Sequence, residues 1–159
     1  MMPARKSPRL KGQDYTAPGM YFVTVCVEER RPLLGQVVSS VMVPSAAGEM
    51  VAQAWRELPL THPTVTLDEW VIMPDHMHGI LTLAASDSGV SLSQVVSRFK
   101  SFSTRLYRHG VRDHAWPECG ARLWQRSFHD RVIRNDEALA ARRLYIQDNP
   151  RRWWEKRSG

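Results

Sequence analysis

The stretch "TVTLDEWVIMPDHMHGILTLA", Thr64 to Ala84, contains two runs of β-branched and apolar residues separated by Pro74-Asp75. Proline has no backbone N–H to give a ladder and its φ is fixed, so a central strand cannot run through it. The chain must reverse there, and the two runs form an antiparallel hairpin. Helical periodicity flanks the hairpin on both sides. Upstream, Ala46, Met50, Val51, Ala54, Trp55 and Leu58 recur at spacings of three and four after Ser45, a suitable N-cap, and that helix stops near Pro59. Downstream, Ser91 to Gly110 opens on a serine cap, places Val95, Val96, Phe99, Phe102 and Leu106 on one face, and ends at a glycine.

Further strands and a last helix complete the pattern. "MYFVTVCVEE", Met20 to Glu29, reads as a first strand after the turn at Pro18-Gly19, and "ARLWQRSFHDRVIR" ends in a further extended segment. "NDEALAARRLYIQDNP" reads as a helix capped by Asn135 or Asp136 and closed by Pro150. Strand, helix, hairpin, helix, strand and terminal helix define an α+β protein with one antiparallel sheet of ferredoxin-like topology.

A chain of 159 residues fits one domain, and at this size about two-thirds of the unfolded surface is buried without disulfides. We expect that domain over residues 17–159, after a loosely held basic leader over 1–16. Cys26 and Cys119 make no paired framework, no apolar export segment opens the chain, and no stretch is long enough to span a membrane. A cytoplasmic protein away from membranes is the expectation. Lys plus Arg outnumber Asp plus Glu by 22 to 16, and the excess gathers in "ARKSPRLK", "RFKSFSTRLYRHGVR" and "RRWWEKR". Such clusters suit a polyanionic partner, although they also solubilise helix faces.

The second strand of the hairpin carries the chemistry. Strand side chains alternate, so His76 and His78 project together while Met77 and Gly79 point the other way. Two imidazoles are half a metal site; the alternative is one histidine bonded to a carbonyl and one exposed. No third histidine extends the pair and the chain is too short for a metallohydrolase barrel. On the last helix Tyr145 and Asn149 are four residues apart and share a face. If that face meets the histidines, Asn149 completes an N,N,O set suited to Mg²⁺ or Mn²⁺ acting on a phosphate, with Tyr145 beside it. Otherwise Tyr145 packs its ring and Asn149 caps the helix before Pro150.

"MPDHMHGI", "LWQRSFHDRVIRN" and "YIQDNP", in this order and near these spacings, resemble the REP-associated tyrosine transposases, relatives of the single-tyrosine HUH transposases of insertion sequences. "DYTAPGMYFVTVCVEERRPLLG" looks like their opening, and the resemblance runs from Asp14 to Trp153. It implies a ferredoxin-like HUH domain in which a tyrosine cleaves single-stranded DNA through a 5′-phosphotyrosine with a divalent cation. His76 and His78 match the HUH histidines, Tyr145 the nucleophile, and Asn149 the polar third ligand. The family implies hairpin-forming DNA as partner, bound through the basic N-terminal segment and the sheet edge, by a monomer or a homodimer. The chain departs from longer members after Pro150, where only "RRWWEKRSG" follows.

A phenol with a pKa near ~10 needs help to attack at neutral pH, and Asp75, His129 and Asp130 are the candidate bases. Arg5, Lys6, Arg9 and Lys11 of the leader, Arg98, Lys100 and Arg105 of the middle helix, and Trp124 are the candidate nucleic-acid contacts. Two rival readings remain: a DNA-binding protein of the same fold without catalysis, and a metal-dependent phosphoesterase that uses water in place of tyrosine.

Overall fold

The computed structural model describes residues 18–85 and 90–158. β1 (Gly19–Cys26), β4 (Val65–Met73), β5 (His76–Leu83) and β6 (His129–Ile133) form one antiparallel sheet in the order β4-β5-β1-β6. With α1 (Ala46–Arg56) between β1 and β4, and α3 (Leu92–His114) between β5 and β6, this is the expected ferredoxin-like arrangement. The reversal at Pro74-Asp75 is a two-residue turn, since Met73 pairs with His76. Its two carbonyls accept from Leu34 N and Val27 N at 3.0 and 2.9 Å, which fixes the turn against the chain that follows β1. No helix among the described residues is long and apolar enough to cross a membrane.

The two sheet faces have different tasks. Tyr21, Val23 and Val25 of β1, with Met77 and Leu81 of β5, pack under α1 and α3 in the main core, which includes Val51, Trp55, Val95, Val96 and Phe99. Phe22 and Ile80, from the alternate positions, form a smaller cluster with Ile133 and with Ile146 of α4 (Asp136–Gln147). The histidine row shares this second face with α4.

Gly79 shows why a glycine follows the histidines. It points to the main core, where an added Cβ would meet the indole of Trp55, a fully buried ring. Gly79→Ala is therefore expected to cost about 2–4 kcal/mol, because a rigid ring and not a flexible chain end must yield. Chemical denaturation of the variant checks this, and a loss below ~0.5 kcal/mol would contradict it.

Other elements differ from the sequence expectation. β2 (Gly35–Val38) and β3 (Val41–Pro44) form a separate hairpin whose turn residues Ser39 and Ser40 have φ of 50° and 68°. Such turns ordinarily use Asn-Gly, so two serines gave no signal. The middle helix does not stop at Gly110 but continues to His114, with Ala115 in the left-handed capping position. Gly110 instead leaves room for the Trp116 ring, which packs where a Cβ would sit. The short α2 (Leu58–Thr61) takes Pro59 into its first turn.

The final helix also differs. It breaks at Asp148, and α5 (Asn149–Ser158) follows, so Pro150 opens a helix in place of closing one. A proline in a first helical turn loses no bond, since that N–H has no intrahelical acceptor. α4 is docked by Ile146 on the second face and by a bidentate ion pair from Arg143 to Asp68, at 2.9 and 2.7 Å. Asp68 lies at the irregularity between Leu67 and Trp70, where β4 carries one residue more than β5.

Candidate active site

Register places the functional side chains before any ligand is considered. Thr24 of β1 pairs with His78 on one side and His129 on the other, and Cys26 pairs with His76. All five side chains therefore face the α4 side, where they line an open cleft of about 400 Å³ with Tyr145, Asn149 and the start of α5. The docking on which the two-histidine reading depended is present. The Tyr145 ring centroid is 5.3 Å from that of His78, the two imidazoles are 4.7 Å apart, and Trp153 of α5 is 6.1 Å from His76.

Each imidazole is oriented through Nδ1. His78 Nδ1 lies 2.8 Å from Thr24 Oγ1, and His76 Nδ1 lies 2.6 Å from Asp75 Oδ1. Nε2 of each ring makes no protein hydrogen bond among the described residues, which is the arrangement by which a metal-binding histidine is held. Asn149 is buried, and its amide Nδ2 donates to the Tyr145 carbonyl at 3.1 Å. It thus caps the end of α4, as one reading of the sequence had it, and this bond fixes the amide so that Oδ1 is the atom left for a cation. Among the described residues no three His, Cys, Asp or Glu side chains gather as a metal cluster. A cation here requires the Asn149 oxygen beside the two nitrogens, and that donor set fits Mg²⁺ or Mn²⁺.

The electrostatics favour an empty-handed imidazole and an anionic guest. Burial, assisted by the charges of His76, Arg142, Arg152 and Arg30, pushes His78 down to about 3. His78 is neutral at pH 7, so no proton competes with a cation for it. Burial alone would raise the Asp75 carboxyl, but hydrogen bonds from His76 and Arg30 outweigh it and hold the group below the usual carboxylate range. The cleft wall carries Arg30, Arg152, Lys156 and Arg157, and no carboxylate among the described residues lines it. Arg152 lies 4.1 Å over the Tyr145 ring and Arg157 lies 3.5 Å over Trp153.

This gives an acid lability of defined sign. Between the ordinary 6.5 of an unfolded histidine and about 3 in the fold, the unfolded chain binds a proton at His78 that the folded chain does not. Stability present above pH 6.5 is therefore lost as pH falls toward 3, by up to about 1.4 kcal/mol per pH unit, and Asp75 adds the same sign at the acid end. Denaturant titrations at pH 7 and pH 5 in EDTA are expected to show the loss, and His78→Leu is expected to flatten it.

Of the three candidate bases only His129 lines the cleft, exposed at the end of the row. Asp75 orients His76 and binds Arg30, while Asp130 points to the opposite face beside Val23. The proposed nucleic-acid contacts are dispersed. Arg5, Lys6, Arg9 and Lys11 lie outside the described residues. Arg98, Lys100 and Arg105 are on α3, across the sheet from the cleft, and the Lys100 ammonium donates to the carbonyls of Gln125, Arg126 and Ser127 at 2.7, 3.1 and 3.3 Å. Trp124 corrects the expectation made for it: the residue is 3% exposed and its indole N–H donates to Ser103 Oγ at 2.9 Å, so it is core. Sequence reasoning passed over Thr24, Arg30, Arg152 and Trp153. Alternation with Phe22 and Cys26 marks Thr24, and a proline permitted in a first helical turn would have revealed the helix that carries Arg152 and Trp153.

The ferredoxin-like sheet, with His76 and His78 on the face against which α4 packs Tyr145, is the fold and docking that the sequence resemblance implied. The profile described as Transposase IS200 like matches residues 19–149, and the chain belongs to that family. It is 30% identical to a Haemophilus influenzae protein of uncharacterised function, covering 94% of this chain and 89% of the relative. A second protein of that organism, named for the REP-associated tyrosine transposases, is 26% identical over 87% of this chain and 73% of its own length. Among solved structures, a REP-associated tyrosine transposase bound to a REP hairpin superposes with a TM-score of 0.61 at 25% identity, covering 91% of this chain and 74% of that one. A Deinococcus radiodurans protein named as a transposase shares the fold, with a TM-score of 0.51 at 20% identity over 88% of this chain and 97% of its own.

Proposed function

We propose that this transposase-family chain cleaves and rejoins single-stranded DNA beside hairpin-forming repeats through a covalent 5′-phosphotyrosine at Tyr145. The observation that carries the reading is the convergence of His76 and His78 of β5 with Tyr145 and Asn149 of the distant α4–α5 junction on one cationic cleft. His76 Nε2, His78 Nε2 and Asn149 Oδ1 would hold Mg²⁺ or Mn²⁺, which when bound supplies charge neutralisation to a phosphate oxygen. The Tyr145 hydroxyl attacks phosphorus in line, the bond to the 3′ oxygen breaks, and a free 3′-hydroxyl leaves with a proton. His129 is the side chain in the cleft suited to take the phenolic proton. The phosphotyrosine keeps the phosphodiester energy, so a second 3′-hydroxyl can reverse the step without a nucleotide cofactor. The hairpin seen on the solved relative supports hairpin DNA as the substrate class. Arg98 and Arg105 of α3 are proposed as phosphate contacts away from the cleft, and Arg5, Lys6, Arg9 and Lys11 as further phosphate contacts.

Labelled hairpin oligonucleotides with single-stranded flanks, incubated with Mg²⁺, Mn²⁺ or EDTA, test the reading. A denaturant-stable protein–DNA adduct is expected with either cation and none in EDTA. Cleavage with no adduct would point to water as nucleophile, and binding with neither would point to the non-catalytic alternative.

A further inference from the structure

We propose that Arg30 is a phosphate-binding residue of the cleft: Asp75 fixes one edge of its guanidinium beside His76, and the other edge receives a non-bridging oxygen of the DNA strand. The inference rests on the functional reading above and extends it to a residue outside the metal and nucleophile set.

Four observations carry it. Arg30 lines the cleft and its side chain is 50% exposed, yet Nη2 is anchored to Asp75 Oδ1 at 3.1 Å, a carboxylate that is 10% exposed. Nη2 also comes within 3.4 Å of His76 Nδ1, where both atoms share Asp75 as acceptor, so the guanidinium is held against a histidine whose Nε2 is available for a cation. Nε and Nη1 make no hydrogen bond among the described residues, so with Nη2 held by Asp75 the guanidinium keeps N–H donors for a phosphate oxygen. Arg152 and Arg157, by contrast, lie over aromatic rings.

The backbone supplies the fourth observation. Glu29 and Arg30 have φ of 60° and 53°, left-handed conformations that glycine adopts without penalty and that a Cβ disfavours. The turn is held on both flanks: Glu28 N donates to Leu123 O at 2.8 Å and Arg30 N to Val27 O at 2.9 Å. A corner alone would be built better with glycine. An arginine kept in a disfavoured conformation, aimed into a cation-lined cleft, indicates that its side chain is needed there.

The test uses the full chain and a fluorescent hairpin oligonucleotide with a single-stranded flank of about ten nucleotides. Binding is followed by anisotropy in EDTA over a range of salt, Mn²⁺ affinity is measured without DNA, and melting is recorded for parent, Arg30→Gly and Arg30→Gln. Both variants are expected to bind DNA about tenfold more weakly, with a salt slope shallower by about 0.7, the value of one single-strand phosphate contact. Mn²⁺ affinity is expected to stay within about twofold, because Asp75 still orients His76. Arg30→Gly is expected to melt no lower than Arg30→Gln, since glycine relieves the left-handed residue. DNA binding within twofold of the parent in the variants overturns the inference while leaving the parent's adduct chemistry intact. A loss of Mn²⁺ affinity with unchanged DNA binding also overturns it, by making Arg30 only a brace for Asp75. A parent that binds no single-stranded DNA removes both readings.

Discussion

Tyr145→Phe is expected to abolish the covalent adduct and to lower strand cleavage by at least about 10³-fold, with DNA binding retained. The substitution removes one oxygen and keeps the ring, so the contacts to His78 at 5.3 Å, to Phe22 at 6.0 Å and to the Arg152 guanidinium at 4.1 Å all remain. Stability should change by less than about 0.5 kcal/mol, because Tyr145 is half-buried and lines the open cleft. Denaturing gels with labelled hairpin DNA, run beside a melting curve, separate loss of chemistry from loss of fold. An adduct of parental yield on the variant would move the nucleophile to another residue.

His76→Ala and His78→Ala are each expected to reduce Mn²⁺ affinity by at least about tenfold and cleavage by about 10³-fold, and they differ in what they do to the fold. His78 is stacked on Phe22 at 5.2 Å and bonded to Thr24, so its loss opens a space between β1 and α4 and is expected to cost about 1–3 kcal/mol. His76 is bonded to Asp75, which keeps Arg30 as a partner when the imidazole is gone, so its loss should cost less. Calorimetric Mn²⁺ titration and urea denaturation of both variants read the two effects separately. Unchanged Mn²⁺ affinity in both would remove the histidines from the cation site.

Much of this arrangement is legible in the sequence because it follows from short-range rules. Pro74 forces the reversal, strand alternation puts His76 and His78 on one face, and Ser45 and Ser91 cap their helices as read, accepting from Gly48 N and Gln94 N. The four-residue spacing of Tyr145 and Asn149 survives the break between α4 and α5, since the chain remains nearly helical through Asp148. What escaped depends on tertiary contacts. Nothing local marks Arg30 as left-handed, or Ser39-Ser40 as a hairpin turn. Trp124, flanked by Gln125 and Arg126, has polar neighbours in sequence, but its ring meets Phe99 at 5.7 Å and is core. The extension of α3 past Gly110 depends on Trp116 folding back onto that glycine.

Mass spectrometry of the proteolysed adduct formed with hairpin DNA and Mn²⁺ reads directly whether the site joins DNA to Tyr145. A nucleotide 5′-phosphate is expected on the peptide that contains "RLYIQDNP", with the added mass on Tyr145. The same mass on any other residue, or cleaved DNA with no modified peptide, would contradict it.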